Sequence, residues 1–123
     1  MKFVLLQYNR GSYDYEDSSD LKMYLLGRFF TDDVGSRTAG FREWTLGNQD
    51  ETSSNITALE KKDEYVYLTD LYSDKKQPTA CKISIEQFLK LLEDWDSIIK
   101  LAHRPERLMI TYANDQFSIE AVN

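Results

Sequence analysis

Along the chain, segments whose apolar residues favour extended backbone are separated by segments whose apolar residues return at helical spacing, and the switches between the two outline the elements. Lys2 to Tyr8 is β-like and largely apolar, which suits a strand well inside a sheet, and the polar, Gly-containing Asn9-Arg10-Gly11-Ser12 ends it. Asp20 can cap a following helix in which Leu21, Tyr24, Leu25, Arg28 and Phe29 mark one face. Met23, Leu26 and Phe30 make Leu21–Phe30 apolar nearly all round, so a strand is the alternative there. Between Thr31 and Ser54 the sequence is polar and punctuated by Gly. Its one amphipathic island, Phe41-Arg42-Glu43-Trp44-Thr45-Leu46, reads as a short helix or a docked loop.

A second ordered block opens near Ile56, where Ile56–Glu60 and Tyr65–Leu71 flank the polar turn Lys61-Lys62-Asp63-Glu64 as a hairpin. Ser73–Thr79 is a polar, Pro-containing connection, and Ala80–Ser84 is a short strand that runs into a helix. Ser84 and Gln87 have capping-box spacing, with Ile83 and Phe88 at the hydrophobic-staple positions. Phe88, Leu89, Leu92, Trp95, Ile99 and Ala102 then recur on one face, opposite Glu86, Lys90, Glu93, Asp94, Ser97 and Lys100. His103 and Arg104 suit the negative end of the helix, and Pro105 forbids continuation. Leu108–Tyr112 and Phe117–Val122 form a last hairpin across Ala113-Asn114-Asp115-Gln116. The order predicts a single α+β domain over 1–123: an antiparallel or mixed β-sheet with a long C-terminal-half helix and a second N-terminal helix packed on it. Burying some six large side chains of the long helix contributes about 10–15 kcal/mol. Ordering its backbone costs about 18–36 kcal/mol, so the helix must dock, with Trp95 as a core anchor.

Composition changes this picture in a few places. A hydrophobic fraction of 41% with six Phe, eight Tyr and two Trp argues for a folded chain despite its many charges. The apolar run Phe3–Leu6 is too short for a signal peptide or a bilayer span, so a cytoplasmic protein with no membrane partner is expected. The single cysteine, Cys81, agrees with a reducing compartment. Asn55-Ile56-Thr57 matches a glycosylation acceptor only by chance in that setting.

A net charge of −6, with the basic residues scattered, argues against a nucleic-acid partner. Acidic residues instead concentrate in Tyr13-Asp14-Tyr15-Glu16-Asp17-Ser18-Ser19-Asp20, and Asp32-Asp33 adds a second pair. Such a segment attracts a basic partner and speeds its arrival. Tyr13, Asp14, Tyr15, Glu16, Asp17, Asp20, Asp32 and Asp33 are the candidate partner-binding residues; the alternative is a solvated loop that ends in a helix cap.

Catalytic constellations are scarce. His103 is the sole histidine and a helix end already explains it; one Cys and one His leave a zinc site short of ligands. The five glycines are isolated, so none forms a phosphate-cradling loop. The carboxylates of Glu93-Asp94-Trp95-Asp96 are close in sequence, yet adjacent residues on a helix point in different directions. No catalytic residue, metal ligand or cofactor is assigned, and a non-enzymatic role is expected.

One resemblance bears on that role. Thr69-Asp70-Leu71, the stretch Ile83-Ser84-Ile85-Glu86-Gln87-Phe88-Leu89-Lys90-Leu91-Leu92-Glu93-Asp94-Trp95 and Arg104-Pro105-Glu106-Arg107-Leu108-Met109-Ile110-Thr111 together resemble the C-terminal half of small immunity proteins from bacterial toxin–immunity systems, including those of contact-dependent growth inhibition. The resemblance is one of layout, spans less than half of the chain and carries no binding motif. It implies a cytoplasmic inhibitor that binds a cognate toxin domain, often a basic nuclease, and blocks its active site or substrate groove. A small structural or regulatory subunit docking on a larger enzyme is the alternative, followed by an enzyme that uses Asp and Tyr residues.

Overall fold

The computed structural model describes residues 1–76 and 78–122, and within them the α+β class is realised by eight strands and three α-helices. The strands are β1 (Lys2–Asn9), β2 (Ser12–Ser18), β3 (Glu51–Ser53), β4 (Thr57–Lys62), β5 (Tyr65–Asp70), β6 (Cys81–Ser84), β7 (Arg107–Ala113) and β8 (Gln116–Ala121). The helices are α1 (Leu21–Arg28), α2 (Thr38–Leu46) and α3 (Ile85–Ile99). Where one sheet was expected there are two, both antiparallel, in the orders β2-β1-β7-β8 and β3-β4-β5-β6. The division has a simple cause. The hairpins form locally, but β1 and β7, about a hundred residues apart, pair with each other rather than with the central strands, as in Leu5 opposite Met109.

Three of the four hairpins turn on two residues with positive φ, Arg10-Gly11, Asp63-Glu64 and Asn114-Asp115, while β3 and β4 are joined by the three residues 54–56. That backbone matches the right-handed twist of the flanking strands. The turn expected over Lys61–Glu64 is thereby shortened to Asp63-Glu64, and Lys61 joins β4. Its ammonium donates to the Trp44 carbonyl at 2.7 Å and the Gly47 carbonyl at 2.9 Å while lying 4.9 Å from the centre of the Trp44 ring. The negative end of α2 is thus capped by a cation from the neighbouring sheet.

Asp20 caps α1 as its sequence position predicts, its carboxylate accepting from the Met23 N–H at 2.9 Å. The helix packs on β1 and β2 and reaches β5 and β6, so it lies against both sheets. Gly27 permits the approach, since a Cβ there would sit 2.5 Å from a methyl of Val4. The chain then widens into a π-helical segment, Phe29–Val34, in which Phe29, Phe30 and Val34 are fully buried. The short-helix reading of Phe41–Leu46 holds within α2, whereas neither β2, read as an acidic segment or solvated loop, nor β3 was forecast as a strand. Of the expected connection Ser73–Thr79, Gln77 lies outside the described residues and the others form neither helix nor strand.

The N-terminus of α3 follows half of the capping-box expectation. Ser84 Oγ accepts from the Gln87 N–H at 3.1 Å. The Gln87 side chain does not return to Ser84: its amide N–H donates to the Asp115 carbonyl at 2.9 Å, and its oxygen accepts from the Phe117 N–H at 2.7 Å. It clamps the β7–β8 turn to the helix instead. The buried face of α3 comprises Phe88, Leu91, Leu92 and Trp95, so Leu91 joins the stripe and Leu89 is only half-buried. The helix also stops at Ile99, before Ala102, which is exposed, and before His103 and Arg104. A competing set of contacts draws the next residues away: the Arg104 guanidinium donates to the Gly11 carbonyl at 2.7 Å, and the Tyr8 N–H donates to the Glu106 carbonyl at 2.7 Å.

Trp95 is 2% exposed, packs against Phe30 and Tyr13 and donates its indole N–H to the Gly35 carbonyl at 2.8 Å. Trp95→Ala is expected to cost about 3–5 kcal/mol in denaturant melts, and a loss below about 1 kcal/mol would place the side chain outside the core. Gln87→Ala should cost about 1–2 kcal/mol, because it strands the half-buried Phe117 N–H. Amide exchange at Phe117, accelerated ahead of the β7 amides, is the measurement that distinguishes a lost clamp from general loosening.

Candidate partner-binding face

Strand β2 sorts the acidic segment by its pleat. Tyr13 and Tyr15 fall on the inner side, where Tyr13 is 3% exposed and Tyr15 is half-buried with its ring 4.9 Å from that of Tyr24. The Tyr13 hydroxyl donates to the Pro105 carbonyl, and burial pushes its phenol above the ordinary value, with Arg104 pulling the other way. These tyrosines hold the sheet to α1 and α3 and are not available as anchors for a partner. The candidate partner-binding role of Tyr13 and Tyr15 is therefore corrected: Tyr13 belongs to the core and Tyr15 packs against it.

Asp14 and Glu16 alternate with the tyrosines and are exposed. A β-bulge then decides where Asp17 points. Leu5 pairs with Asp17 but Leu6 pairs with Tyr15, so Glu16 is the extra residue and Asp17 is carried to the same outer face as Asp14. Glu16 reaches that face as well, since its carboxylate meets the Arg107 guanidinium at 2.5 Å.

The other three candidates do not join them. Asp20 is occupied as the α1 cap and pairs with Lys2 at 3.3 Å. Asp32 is exposed but pairs with Arg28 one turn earlier. Asp33 is fully buried, with one carboxylate oxygen accepting from the Ile56 N–H at 3.3 Å, so no partner can reach it. Paired in sequence, these two aspartates are separated by the helix to which they belong.

What the fold brings beside Asp14, Glu16 and Asp17 comes from the other end of the chain. Pairing of β1 with β7 and of β7 with β8 aligns Asp17, Leu5, Met109 and Glu120 in one row across the sheet. Asp14, Gln7 and Arg107 form the row on one side of it, and Phe3, Thr111 and Ser118 the row on the other. Phe3, Leu5 and Met109 are half-buried at the centre, while Asp14, Asp17 and Glu120 are exposed around them. Four carboxylates face one guanidinium here, which makes this an acid-rimmed apolar surface. Glu120 and the three apolar residues escaped the sequence reading. The polar alternation Ser118, Glu120 marked an outer face of β8, but nothing local joined that face to β2.

Chemistry elsewhere is limited. Among the described residues no group of three or more His, Cys, Asp and Glu side chains is placed to hold a metal ion. Cys81 is buried at the start of β6, and burial pushes its thiol up to about 12. No helix among the described residues is long and apolar enough to cross a membrane. Comparison of the chain with models of protein families, with curated proteins and with solved structures finds no significant match.

The Cys81 thiol gives a direct check. A group whose pKa is raised on folding contributes stability below its unfolded value and loses it as the pH climbs toward the folded one. Stability relative to a Cys81→Ala variant should therefore fall as the pH rises from about 9 to about 12. At pH 8 the native thiol should react with a disulfide reagent at least about 100-fold more slowly than in the denatured chain, because almost no thiolate is present or reachable. Fast native labelling would show that β6 opens or that the site is exposed.

Proposed function

We propose that this protein is an immunity-type inhibitor that binds a cognate toxin domain, a nuclease with a basic surface, through the outer face of the β2-β1-β7-β8 sheet. The observation that carries the reading is the row Asp17, Leu5, Met109, Glu120, in which two carboxylates flank two half-buried apolar side chains. An apolar centre with a charged rim is the usual anatomy of a protein interface, and the rim charges set the approach rate more than the final affinity. Carboxylates on that rim stand where the phosphates of a nucleic-acid substrate would meet a basic groove, so the inhibitor competes with substrate by matching its charge. The resemblance of the C-terminal half to toxin-immunity proteins supports the same reading, and the cytoplasm, where an incoming nuclease would act, is the compartment it requires. Cys81 and His103 have no part in it.

The toxin domain encoded beside the gene is the partner to test. Wild type should protect cells from it, and so should a Cys81→Ser, His103→Gln double variant. Asp14→Asn, Asp17→Asn and Glu120→Gln combined should slow association at least about 10-fold at low salt, with the difference shrinking at high salt. The melting free energy should move by no more than about 0.5 kcal/mol, because the three side chains are exposed. Rates identical to wild type at both salts would remove this face from the interface.

A further inference from the structure

A second concave site lies apart from the acidic face, where the Arg10-Gly11 turn, the end of the π-helical segment and the last turn of α3 meet. It is a cavity of about 280 Å³ whose walls include Tyr13, Trp95 and Ile99, with Gly35 and the hydroxyls of Ser12 and Ser36 at its edge and Arg104 beside them. None of the acids of the outer sheet face lines it.

Arg104 is half-buried and its side chain is held by two contacts. One terminal nitrogen donates to the Gly11 carbonyl at 2.7 Å, and the guanidinium carbon lies 5.7 Å from the centre of the Tyr8 ring. The adjoining backbone is pinned twice, by the Tyr13 hydroxyl on the Pro105 carbonyl at 2.5 Å and by the Tyr8 N–H on the Glu106 carbonyl at 2.7 Å. The guanidinium has no carboxylate partner among the described residues, in common with Arg10, Arg37 and Arg42 and unlike Arg28 and Arg107. Its Nε and second terminal nitrogen, the pair that grips a carboxylate in a fork, make no hydrogen bond within the described chain, and neither do the Ser12 and Ser36 hydroxyls.

We propose that this cavity is a binding site for a small organic carboxylate with an apolar, preferably aromatic, body. The carboxylate would take the two free guanidinium donors in bidentate fashion, the strongest geometry available to arginine. The body would lie along the half-buried Ile99 and the narrow exposed edges of Tyr13 and Trp95. The volume falls just under the range of about 300–1,000 Å³ typical of drug-sized ligands, which suits one ring or branched chain. Phosphate fits less well. A dianion would meet a single cation beside apolar walls, in a protein of net charge −6.

The Trp95 indole N–H, bonded to the Gly35 carbonyl at the edge of the cavity, reports on occupancy. Its proton–nitrogen NMR signal, told apart from that of Trp44 by a Trp44→Phe spectrum, should shift saturably as benzoate, phenylacetate or indole-3-acetate is added to the full-length protein. Benzamide, which has the same shape without the charge, should bind at least 10-fold more weakly, and inorganic phosphate should leave the signal in place. Arg104→Gln should weaken carboxylate binding at least 10-fold. Because that change also removes the bond to Gly11 and could loosen the segment, Ile99→Trp provides a second arm that fills the cavity and leaves Arg104 intact. It should abolish saturation while the melting transition persists. Equal binding of benzoate and benzamide, unchanged binding in either variant, or no saturable shift with any of the three carboxylates would overturn the proposal.

Discussion

Burying the Trp95 indole requires an acceptor for its single N–H, and the Gly35 carbonyl at 2.8 Å supplies it. That one bond places the end of the π-helical segment against α3, and the ring faces of Phe30 and Tyr13 close on the indole from the N-terminal half of the chain. Three segments distant in sequence are thereby fixed relative to one another. The position of β2 follows from Tyr13, and the position of the β1–β2 turn follows from β2. The cavity beside Arg104 is bounded by these same residues, so it shares the rigidity of the core.

Strand β2 shows how one short sequence serves two environments. Its pleat sends Tyr13 inward and Asp14 outward, and the bulge at Glu16 resets the alternation so that Asp17 returns to the outer side. Were Glu16 paired in regular alternation instead of bulged, Asp17 would face the core beside Val4 and Leu6, where an unpaired carboxylate is expensive to bury. The bulge resolves that conflict and concentrates carboxylates on one surface. Repulsion among them is relieved in part by Arg107, which reaches Glu16 from a neighbouring part of the sheet.

The acid-rimmed sheet face and the Arg104 cavity therefore have opposite electrostatic character. On the outer sheet face, carboxylates outnumber the cation and surround apolar side chains, a pattern suited to a basic macromolecule. At the Arg104 cavity a lone guanidinium stands beside aromatic walls, a pattern suited to a small anion. Their separation means that occupation of one need not block the other.

The α+β class, the β4–β5 and β7–β8 hairpins, the Asp20 cap and the start of α3 were legible in the amino-acid sequence, because each rests on interactions within a few residues: a side-chain oxygen reaching the N–H three positions on, or two residues closing a turn. Strand β2 was not, because its acidic residues read as solvated loop and its place is set by pairing with β1. Tyr13 and Asp33 were misjudged as accessible, and Gln87 was assigned a local bond it does not make, because the partners that decide them, Pro105, Ile56 and Phe117, lie 92, 23 and 30 residues away. The same holds for the end of α3, where Arg104 answers to Gly11 and leaves the helix early. Local chemistry along the chain determined which segments become helices and strands. Only the tertiary structure decided the split into two sheets and the assembly of the acid-rimmed face, since both depend on pairing β1 with β7, a contact whose energy appears only when the two ends of the chain are brought together.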